Sequence, residues 1–368
     1  MGSKTPAFQA VDLLTVKVRL DQLTISGDAE PPLIEVSLYG IFKLVGNRKI
    51  GWKGDFMNIL IVGAGAMGCL FGGRLKAQHD KVLLYNRNNP HVEQINRNGL
   101  TIVERDNKET TIPIKIVQEI SDTAAYDIVL VLVKAHATRA VLEKMRSSFS
   151  AETLFITMQN GLGNLETIAE LFPDNPIVAG TMGSGASVES EGRILHRGWG
   201  KNYIGRAEDV EAQKKLLEFV GLLNRSGLET DLAEDVQTAI WNKLFVNVAY
   251  NSLTALTRLR NGDILNTEEG QAMLGNVVAE AVQVAKAEGM SMDAEQVIAK
   301  CLQMGKEDIA ANKSSMLMDI LHKRKTEIGA INGAVAKLGK RHGLETPYND
   351  LITGIIKVIE ANYDLQVD

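Results

Sequence analysis

Short apolar runs alternate with longer amphipathic segments through the central part of the chain. From Met57 the runs "NILIVGA", "KVLLY", "YDIVLVLVK" and "TLFITMQNG" are almost wholly apolar, and the first is followed by the helix-like "MGCLFGGRLKAQ". Continuous apolar strands separated by helices are typical of a parallel sheet covered on both faces. Three further strand-like pieces, "PIVAGTM", "GRILHRG" and "KNYIGR", lie closer together with Gly turns. They predict an antiparallel edge to the sheet.

After about Gly227 the apolar residues recur at spacings of three and four. This spacing predicts helices over "AEDVQTAIWNKLFVNVAYNSLTAL", "EGQAMLGNVVAEAVQVAKAEG", "SSMLMDILHKRKTEIGAINGAVAKLGKRHG" and "TPYNDLITGIIKVIEANY". The predicted fold is therefore α/β, with an N-terminal Rossmann-type doubly wound sheet over residues 57–226 and an all-α C-terminal domain over residues 227–368. The cleft between the two domains is the expected ligand site.

The first 56 residues follow a different pattern. Their segments "TVKVRLDQL" and "LIEVSLYGI" alternate apolar and polar positions, so if ordered they should pair as strands. We interpret residues 1–56 as a leader or N-terminal extension of unknown role, and we predict that Met57 is the natural start.

Composition excludes several classes of protein. The 368 residues suffice for about two domains, and 45% apolar with 23% charged residues is ordinary for a globular protein. The net charge of −5 without a basic block argues against a nucleic-acid or membrane-surface partner. Two cysteines, Cys69 and Cys301, give no metal-ligand spacing, so no metal is expected. No apolar run reaches the ~18 residues of a membrane span, and a cytoplasmic location is predicted.

A glycine motif follows the first apolar strand. Gly63, Gly65 and Gly68 give G-x-G-x-x-G between a predicted strand and a predicted helix, which is the context in which this motif binds a dinucleotide. The first glycine permits the tight turn, the second lets the backbone approach the pyrophosphate, and the third lets the helix pack on the strand. The helix N-terminus attracts the anion.

The residues after the second strand indicate which of the two nicotinamide cofactors binds. An NAD site carries an acid there, which would repel the 2′-phosphate of NADP, whereas an NADP site prefers Arg. Here the strand ends in "LLYNR", and Asn86 and Arg87 occupy the position without a carboxylate. The sequence therefore favours NADPH; the alternative is that Arg87 is a solvated surface residue.

A polar column runs along the first predicted helix of the C-terminal domain. Lys243, Asn247 and Asn251 lie four residues apart, so they share one side of the helix. Burying them without partners would be costly. They either face solvent or bind a polar ligand, and a lysine beside a ketone that receives a hydride can stabilise and protonate the developing alkoxide.

A second column is expected on the third helical segment, where Ser315, Asp319 and Glu327 lie at multiples of four. Such a column is usually a solvated face. If this helix lines the cleft, Ser315 could bind a carboxylate and Glu327 could accept a hydrogen bond from a substrate hydroxyl.

Taken together, these motifs resemble the ketopantoate reductase family. The matching pieces are "GAGAMG", Arg87, "VKAHAT", "QNGLG", "WNKLFVNVAYNSLTAL" and "SSMLMDI...RKTEIGAING", and they run from about Met57 to Tyr363. The resemblance implies NADPH-dependent reduction of 2-dehydropantoate, a small 2-oxo acid, to (R)-pantoate in pantothenate and coenzyme A biosynthesis. Met182 and Gly183 depart from the family pattern near the nicotinamide.

The resemblance also implies roles for individual residues. Lys243 is implied to be the catalytic acid that protonates the new hydroxyl. The implied substrate-binding residues are Asn160, Asn247, Asn251, Ser315 and Glu327. The implied cofactor-binding residues are Gly63, Ala64, Gly65, Ala66, Met67, Gly68, Arg87, Lys134 and Asn160. The helical domain is a candidate for homodimer formation.

Two alternatives remain open. One is a 2-hydroxyacid dehydrogenase on the same scaffold that uses a different 2-oxo acid. The other is a non-catalytic NADPH-sensing protein, which would bind the cofactor but oxidise it with no 2-oxo acid.

Overall fold

The computed structural model describes residues 57–120 and 125–366, together with the backbone of two short strands, β1 (Val16–Val18) and β2 (Ile34–Val36). By its contacts the chain divides into two compact units, Met1–Lys53 and Gly54–Asp368. In the first unit β1 and β2 pair antiparallel, which confirms the expected strand pairing for these residues. The leader interpretation and the predicted start at Met57 concern residues that otherwise lie outside the described ranges.

Two sheets are present in the described part of the larger unit. Its strands are β3 (Ile59–Val62), β4 (Val82–Tyr85), β5 (Leu100–Val103), β6 (Glu109–Ile112), β7 (Ile116–Val117), β8 (Ile128–Val131), β9 (Leu154–Thr157), β10 (Ile177–Thr181), β11 (Ser184–Ser190), β12 (Arg193–Trp199), β13 (Asn202–Ile204) and β14 (Thr230–Leu232). The eight-stranded sheet has the order β14-β13-β10-β9-β8-β3-β4-β7, and the four-stranded sheet has the order β11-β12-β5-β6. The strands from β7 to β10 in the larger sheet are all parallel.

Helices follow most of the parallel strands and then make up the C-terminal half. They are α1 (Ala66–Lys76), α2 (Pro90–Asn98), α3 (Thr138–Glu143), α4 (Asn164–Leu171), α5 (Val210–Arg225), α6 (Val236–Thr257), α7 (Glu268–Ala287), α8 (Ala294–Lys306), α9 (Ser315–Leu321), α10 (Asn332–Arg341) and α11 (Pro347–Ala361). Short 3₁₀ helices cover Ala135–Ala137, Arg146–Ser148, Gly262–Asn266 and Tyr363–Leu365. Among the described residues, no helix is long and apolar enough to cross a membrane.

Alternate residues of the central strands face opposite sides of the sheet. In β3, Ile59 and Ile61 belong to a buried cluster with residues of α1 and α5, whereas Leu60 and Val62 belong to a cluster with residues of α3 and α4. Both faces of the parallel strands are therefore covered, which explains why the strands are apolar throughout. This confirms the predicted α/β fold, with a Rossmann-type doubly wound sheet followed by helices.

The helical half has a hydrophobic cluster of its own, centred on α6 and α7. Trp241, Leu244 and Val248 of α6 are buried there. The boundary predicted between residues 226 and 227 stays a proposal, since the larger unit is a single compact body by its contacts.

The predicted antiparallel edge is only partly correct. The segment "KNYIGR" contains β13, which does pair antiparallel with β10. The segment "PIVAGTM" contains β10, which is parallel to β9 because α4 carries the chain back across the sheet between them. The segment "GRILHRG" contains β12, which forms a hairpin with β11 and belongs to the four-stranded sheet. The spacing of apolar residues cannot predict whether a strand pairs parallel or antiparallel, or which sheet it joins, since all three segments are short and similar in sequence.

The prediction of one long helix over "SSMLMDILHKRKTEIGAINGAVAKLGKRHG" is wrong. The segment forms two helices, α9 and α10, and Glu327 lies in the turn between them. The first helix ends because Lys323 adopts a left-handed φ of 51° and the amide of Arg324 donates to the carbonyl of Asp319 at 2.8 Å. Asp319 and Glu327 are therefore not members of one helical column.

Candidate active site

The turn between β3 and α1 needs glycine at two positions. Gly63 has a φ of 114°, and a Cβ there would lie 2.7 Å from the backbone nitrogen of Val133. A Cβ on Gly68 would lie 1.7 Å from the carbonyl oxygen of Gly63. The tight turn and the close helix packing of the motif are therefore explained by the folded chain alone.

Gly65 differs from these two glycines. Its φ of −77° suits any residue, and no described atom lies within 4 Å of where its Cβ would be. It sits at the N-cap of α1, where the first amides of the helix lack intrahelical acceptors and carry a partial positive charge. The missing side chain leaves open space beside these donors. This is the arrangement that an approaching phosphate group requires.

The residues that follow β4 lie next to this turn. The side-chain oxygen of Asn86 accepts a hydrogen bond from the amide of Ala64 at 3.3 Å. Arg87 comes next and is exposed. The two predicted determinants of cofactor choice thus lie beside the glycine turn, and the role of Arg87 in binding stays a prediction.

Lys243 of α6 reaches the sheet half of the unit. Its ammonium donates a hydrogen bond to the carbonyl oxygen of Met182 at 2.7 Å. Burial lowers the pKa of Lys243 to about 8, and the negative charge of Glu327 opposes this shift. The lysine is thus a stronger acid than an exposed one, yet it remains mostly protonated at neutral pH.

The two asparagines of the α6 column have amides without partners. The Nδ2 atoms of Asn247 and Asn251 are buried and have no hydrogen-bond partner among the described residues. A buried polar group without a partner costs about 1–3 kcal/mol. Two such donors, one and two turns along the helix from Lys243, indicate a surface arranged for oxygen atoms of a ligand.

Glu327 connects the helical half to the loops at the ends of the parallel strands. One carboxylate oxygen accepts from the backbone amide of Ala135 at 3.1 Å, and the other accepts from the side-chain amide of Asn160 at 3.3 Å. Nearby, the amide of Leu162 donates to the carbonyl of Ala330 at 2.9 Å. The structure thus brings together Lys243, Asn160 and Glu327, three of the residues singled out from sequence.

Lys134 also contacts the helical half. Its ammonium forms an ion pair with the buried carboxylate of Asp319, which in turn accepts from Nε of Arg324 at 3.1 Å. Asp319 thus neutralises a lysine of the loop after β8 and does not extend a polar surface toward Glu327. Contact between Lys134 and a cofactor remains a prediction.

Ser315 is the first residue of α9 and is exposed. The preceding Ser314 is buried and caps the helix, and its hydroxyl lies 2.6 Å from that of Thr254 on α6. The same hydroxyl lies 3.5 Å from the carbonyl of Asn251. The start of α9 is therefore fixed beside the α6 column, and the predicted role of Ser315 in binding a carboxylate remains untested.

Sequence reasoning missed three groups at this site. Met182 stood out only as a departure from the family pattern; its carbonyl and the Ala135 amide are backbone atoms, so no residue type could indicate their contacts. His136, within the "VKAHAT" segment, lies among Lys325, Lys134 and Glu327; burial first, and then the two lysine charges, lower its pKa. The sequence feature that pointed to His136 was its position in "VKAHAT", a segment that matches the family pattern.

Two family models match most of the described chain. The model described as "Ketopantoate reductase PanE/ApbA" matches residues 59–209, and the model described as "Ketopantoate reductase PanE/ApbA C terminal" matches residues 235–360. A 2-dehydropantoate 2-reductase of Pyrococcus abyssi is 32% identical over 308 residues, which is 83% of this chain and 98% of that protein. Another from Halobacterium salinarum is 29% identical over 306 residues, covering 83% of this chain and all of that protein.

Solved structures agree in fold. The ternary structure of a D-mandelate dehydrogenase with NADH and anilino(oxo)acetate superposes with a TM-score of 0.79 at 28% identity, covering 84% of this chain and 100% of that one. A PanE/ApbA family ketopantoate reductase from Ralstonia eutropha gives a TM-score of 0.76 at 26% identity, with the same coverage.

Burial of the Lys243 charge gives a prediction about stability. The folded-state pKa of about 8 lies below the ordinary value of 10.5, so the buried charge opposes folding at neutral pH. We expect Lys243→Met to raise the free energy of unfolding by about 1–3 kcal/mol at pH 7. The advantage should shrink between pH 8 and 10.5, because there the unfolded wild type keeps a proton that its folded state has lost. Urea unfolding of both proteins across this range measures the difference.

The exposed Lys337 of α10 provides a matched control. Lys337→Met should give no comparable dependence on pH. A Lys243→Met protein that is less stable than wild type at pH 7 would contradict the account of a desolvated charge.

Proposed function

The chain belongs to the ketopantoate reductase family, and from this premise we propose that it reduces 2-dehydropantoate to (R)-pantoate with NADPH. Membership of the family makes it an oxidoreductase that acts on a 2-hydroxy acid. Production of (R)-pantoate would place it in pantothenate and coenzyme A biosynthesis, and we propose a cytoplasmic location. Residues 57–226 would bind the dinucleotide, and residues 227–368 would bind the substrate.

One observation carries the proposal more than any other. The half-buried Lys243 shares a helix side with the Asn247 and Asn251 amides, which have no hydrogen-bond partner among the described residues, while the Glu327 carboxylate lies near enough to influence the lysine pKa. Positive charge, two hydrogen-bond donors and one acceptor are what a 2-oxo acid with a hydroxyl group requires. A structural role alone would leave the two amide donors without a purpose.

The glycine turn fits a dinucleotide. The open space at Gly65, beside the first-turn amides of Ala66, Met67 and Gly68, would hold the pyrophosphate, and we propose that Ala64, in the same turn, also contacts the cofactor. Arg87 would pair with the 2′-phosphate, with Lys134 as a second cation and Asn160 at the junction with the substrate. When bound, NADPH supplies the hydride that reduces the ketone.

Lys243 would act on the oxygen of the ketone. As negative charge develops on that oxygen, the ammonium stabilises it and then transfers a proton to it, which forms the hydroxyl group of the product. The Met182 carbonyl holds the ammonium in place through its hydrogen bond. A pKa of about 8 keeps the proton on the lysine at neutral pH while making its transfer easier than from an ordinary lysine.

The remaining residues would orient the substrate. Asn247 and Asn251 would donate to oxygens of the 2-oxo acid, and Ser315 would bind its carboxylate. Glu327 already accepts two hydrogen bonds, one on each oxygen, and a carboxylate oxygen can accept more than one. It would therefore accept from the substrate hydroxyl without losing the contacts that fix its position.

A second candidate function is a 2-hydroxyacid dehydrogenase with a different 2-oxo acid or with NADH. The likeness to a D-mandelate dehydrogenase structure that contains NADH favours it. The reaction would use the same lysine, and only the contacts to the substrate side chain and the ribose would differ. The homodimer expected from the sequence is part of our proposal in either case.

The first test is a comparison of substrates. We expect purified full-length protein to oxidise NADPH with 2-dehydropantoate, at a higher kcat/KM than with 2-oxoisovalerate or phenylglyoxylate. A preference for either of the last two would favour the second candidate. Binding of NADPH without oxidation by any 2-oxo acid would instead indicate a non-catalytic NADPH sensor and contradict both enzymatic functions.

Loss of the lysine should affect turnover much more than cofactor binding. We expect Lys243→Ala to lower kcat by about 10²–10⁴-fold, with little change in the Kd for NADPH measured by fluorescence, because the charge matters mainly as the alkoxide develops. In the wild type, kcat/KM should decline above about pH 8, because this ratio reports the loss of the Lys243 proton in the free enzyme. Lys337→Ala is the control for an exposed lysine, and equal losses in turnover and NADPH binding in Lys243→Ala would remove the catalytic role.

Removal of the arginine should change cofactor preference. We expect Arg87→Ala to weaken NADPH at least tenfold relative to NADH, because an ionic hydrogen bond to the 2′-phosphate contributes roughly 1.5–3 kcal/mol. The ratio of kcat/KM for the two cofactors measures this preference. Arg97→Ala is a matched control, since Arg97 is an exposed arginine at the end of α2. An unchanged ratio in Arg87→Ala would exclude Arg87 from cofactor recognition.

A further inference from the structure

Helix α11 carries apolar residues on its buried face and on an adjoining exposed face. Its inner face buries Ile352 and Ile356 in the helical core. On its outer face the apolar residues occur at successive spacings of three, four and three, and they are exposed by 44%, 64%, 40% and 64%, in the order Tyr348, Leu351, Ile355 and Val358. Single exposed apolar residues are ordinary, whereas a continuous stripe along a whole helix marks an interaction surface.

A glycine borders this exposed stripe. Gly354 is in the middle of α11, and no described atom lies within 4 Å of where its Cβ would be. Glycine in a helix interior costs about 1 kcal/mol relative to alanine, and the described part of the chain contains no neighbour that would clash with a side chain there. Its absence of a side chain would let the backbone of another helix approach closely.

Two charged residues flank the stripe along one edge. Asp350 and Lys357 are both exposed and are seven positions apart, so they lie on the same side of α11. Neither forms an ion pair with a described residue: Asp350 accepts from the hydroxyl of Thr346 at 3.0 Å, and Glu360, the acid three positions after Lys357, accepts from the backbone amide of Thr326 at 2.7 Å. Their separation along the axis is about 10 Å at 1.5 Å per residue, and Gly354 lies between them.

These charges select the partner and its orientation. A two-fold axis perpendicular to two crossing copies of α11 makes them antiparallel and keeps both charged edges on the same side. Asp350 of one copy then lies beside Lys357 of the second copy, and symmetry repeats the contact. A parallel arrangement would place the charged edges on opposite sides of the pair. The surface is therefore complementary to itself only when antiparallel.

We propose that the outer face of α11 is the interface with a second copy of this chain, with the two helices antiparallel and crossing at Gly354. The inference specifies the surface for the homodimer proposed above and rests on that proposal. It does not depend on the proposed reaction, because α11 contributes no residue to the candidate active site.

The charge pattern allows a direct test by light scattering and sedimentation of the full chain. The wild type should have about twice the chain mass of 40.1 kDa at micromolar concentration. Lys357→Asp should weaken the dimer at least tenfold in Kd, because each of two attractive contacts becomes repulsive. The double variant Asp350→Lys, Lys357→Asp should restore the dimer, since both charges are then exchanged.

Two further variants complete the test. Val358→Asp should give a monomer by placing a charge within the stripe, and Lys337→Asp, on the exposed surface of α10, should dimerise as the wild type does. A wild type that is monomeric at every concentration overturns the proposal, whether residues 1–53 or a different protein cover the stripe. So does a dimer that Lys357→Asp and Lys337→Asp affect equally. NADPH oxidation measured on the same samples separates failure of the interface from failure of the proposed reaction.

Discussion

The candidate active site depends on the carboxylate of Glu327. This group belongs to the helical half of the unit, yet its two oxygens accept from Ala135 and Asn160, which follow two parallel strands of the sheet. A charged acceptor with two donors resists displacement more than a neutral hydrogen bond does. The turn between α9 and α10 is therefore held against the strand ends, and the charge that influences Lys243 is fixed in position.

The parts of the fold that follow from local periodicity were predictable. The apolar runs of β3, β4, β8 and β9 indicated a parallel sheet because burial on both faces removes the polar alternation, and "GAGAMG" indicated the turn because Gly63 and Gly68 are sterically required. The column of Lys243, Asn247 and Asn251 was also readable, because α6 is regular over its whole length and four-residue spacing gives one side of a helix.

The parts that depend on distant contacts were not predictable. Lys323 interrupts the predicted long helix with a left-handed conformation that its residue type does not favour, and contacts from Glu327 and Ala330 to the sheet half stabilise the turn that follows. Apolar spacing on either side of this turn resembles one continuous helix. In the same way, Asp319 appeared to belong with Glu327, although its carboxylate pairs with Lys134, which is 185 residues away in sequence.

Groups from both halves of the unit stabilise the positive charge of Lys243. A lysine on α6 surrounded only by the helical core would lose its proton more readily, because burial disfavours the ammonium. The Met182 carbonyl comes from the end of the sheet, and the Glu327 charge comes from a turn that the sheet half holds in place. Both favour the charged form, so Lys243 stays mostly protonated at neutral pH although burial lowers its pKa. A site formed by either half alone would lack this balance between burial and compensation, since Lys243 comes from α6 and the carbonyl that it contacts comes from the end of the sheet.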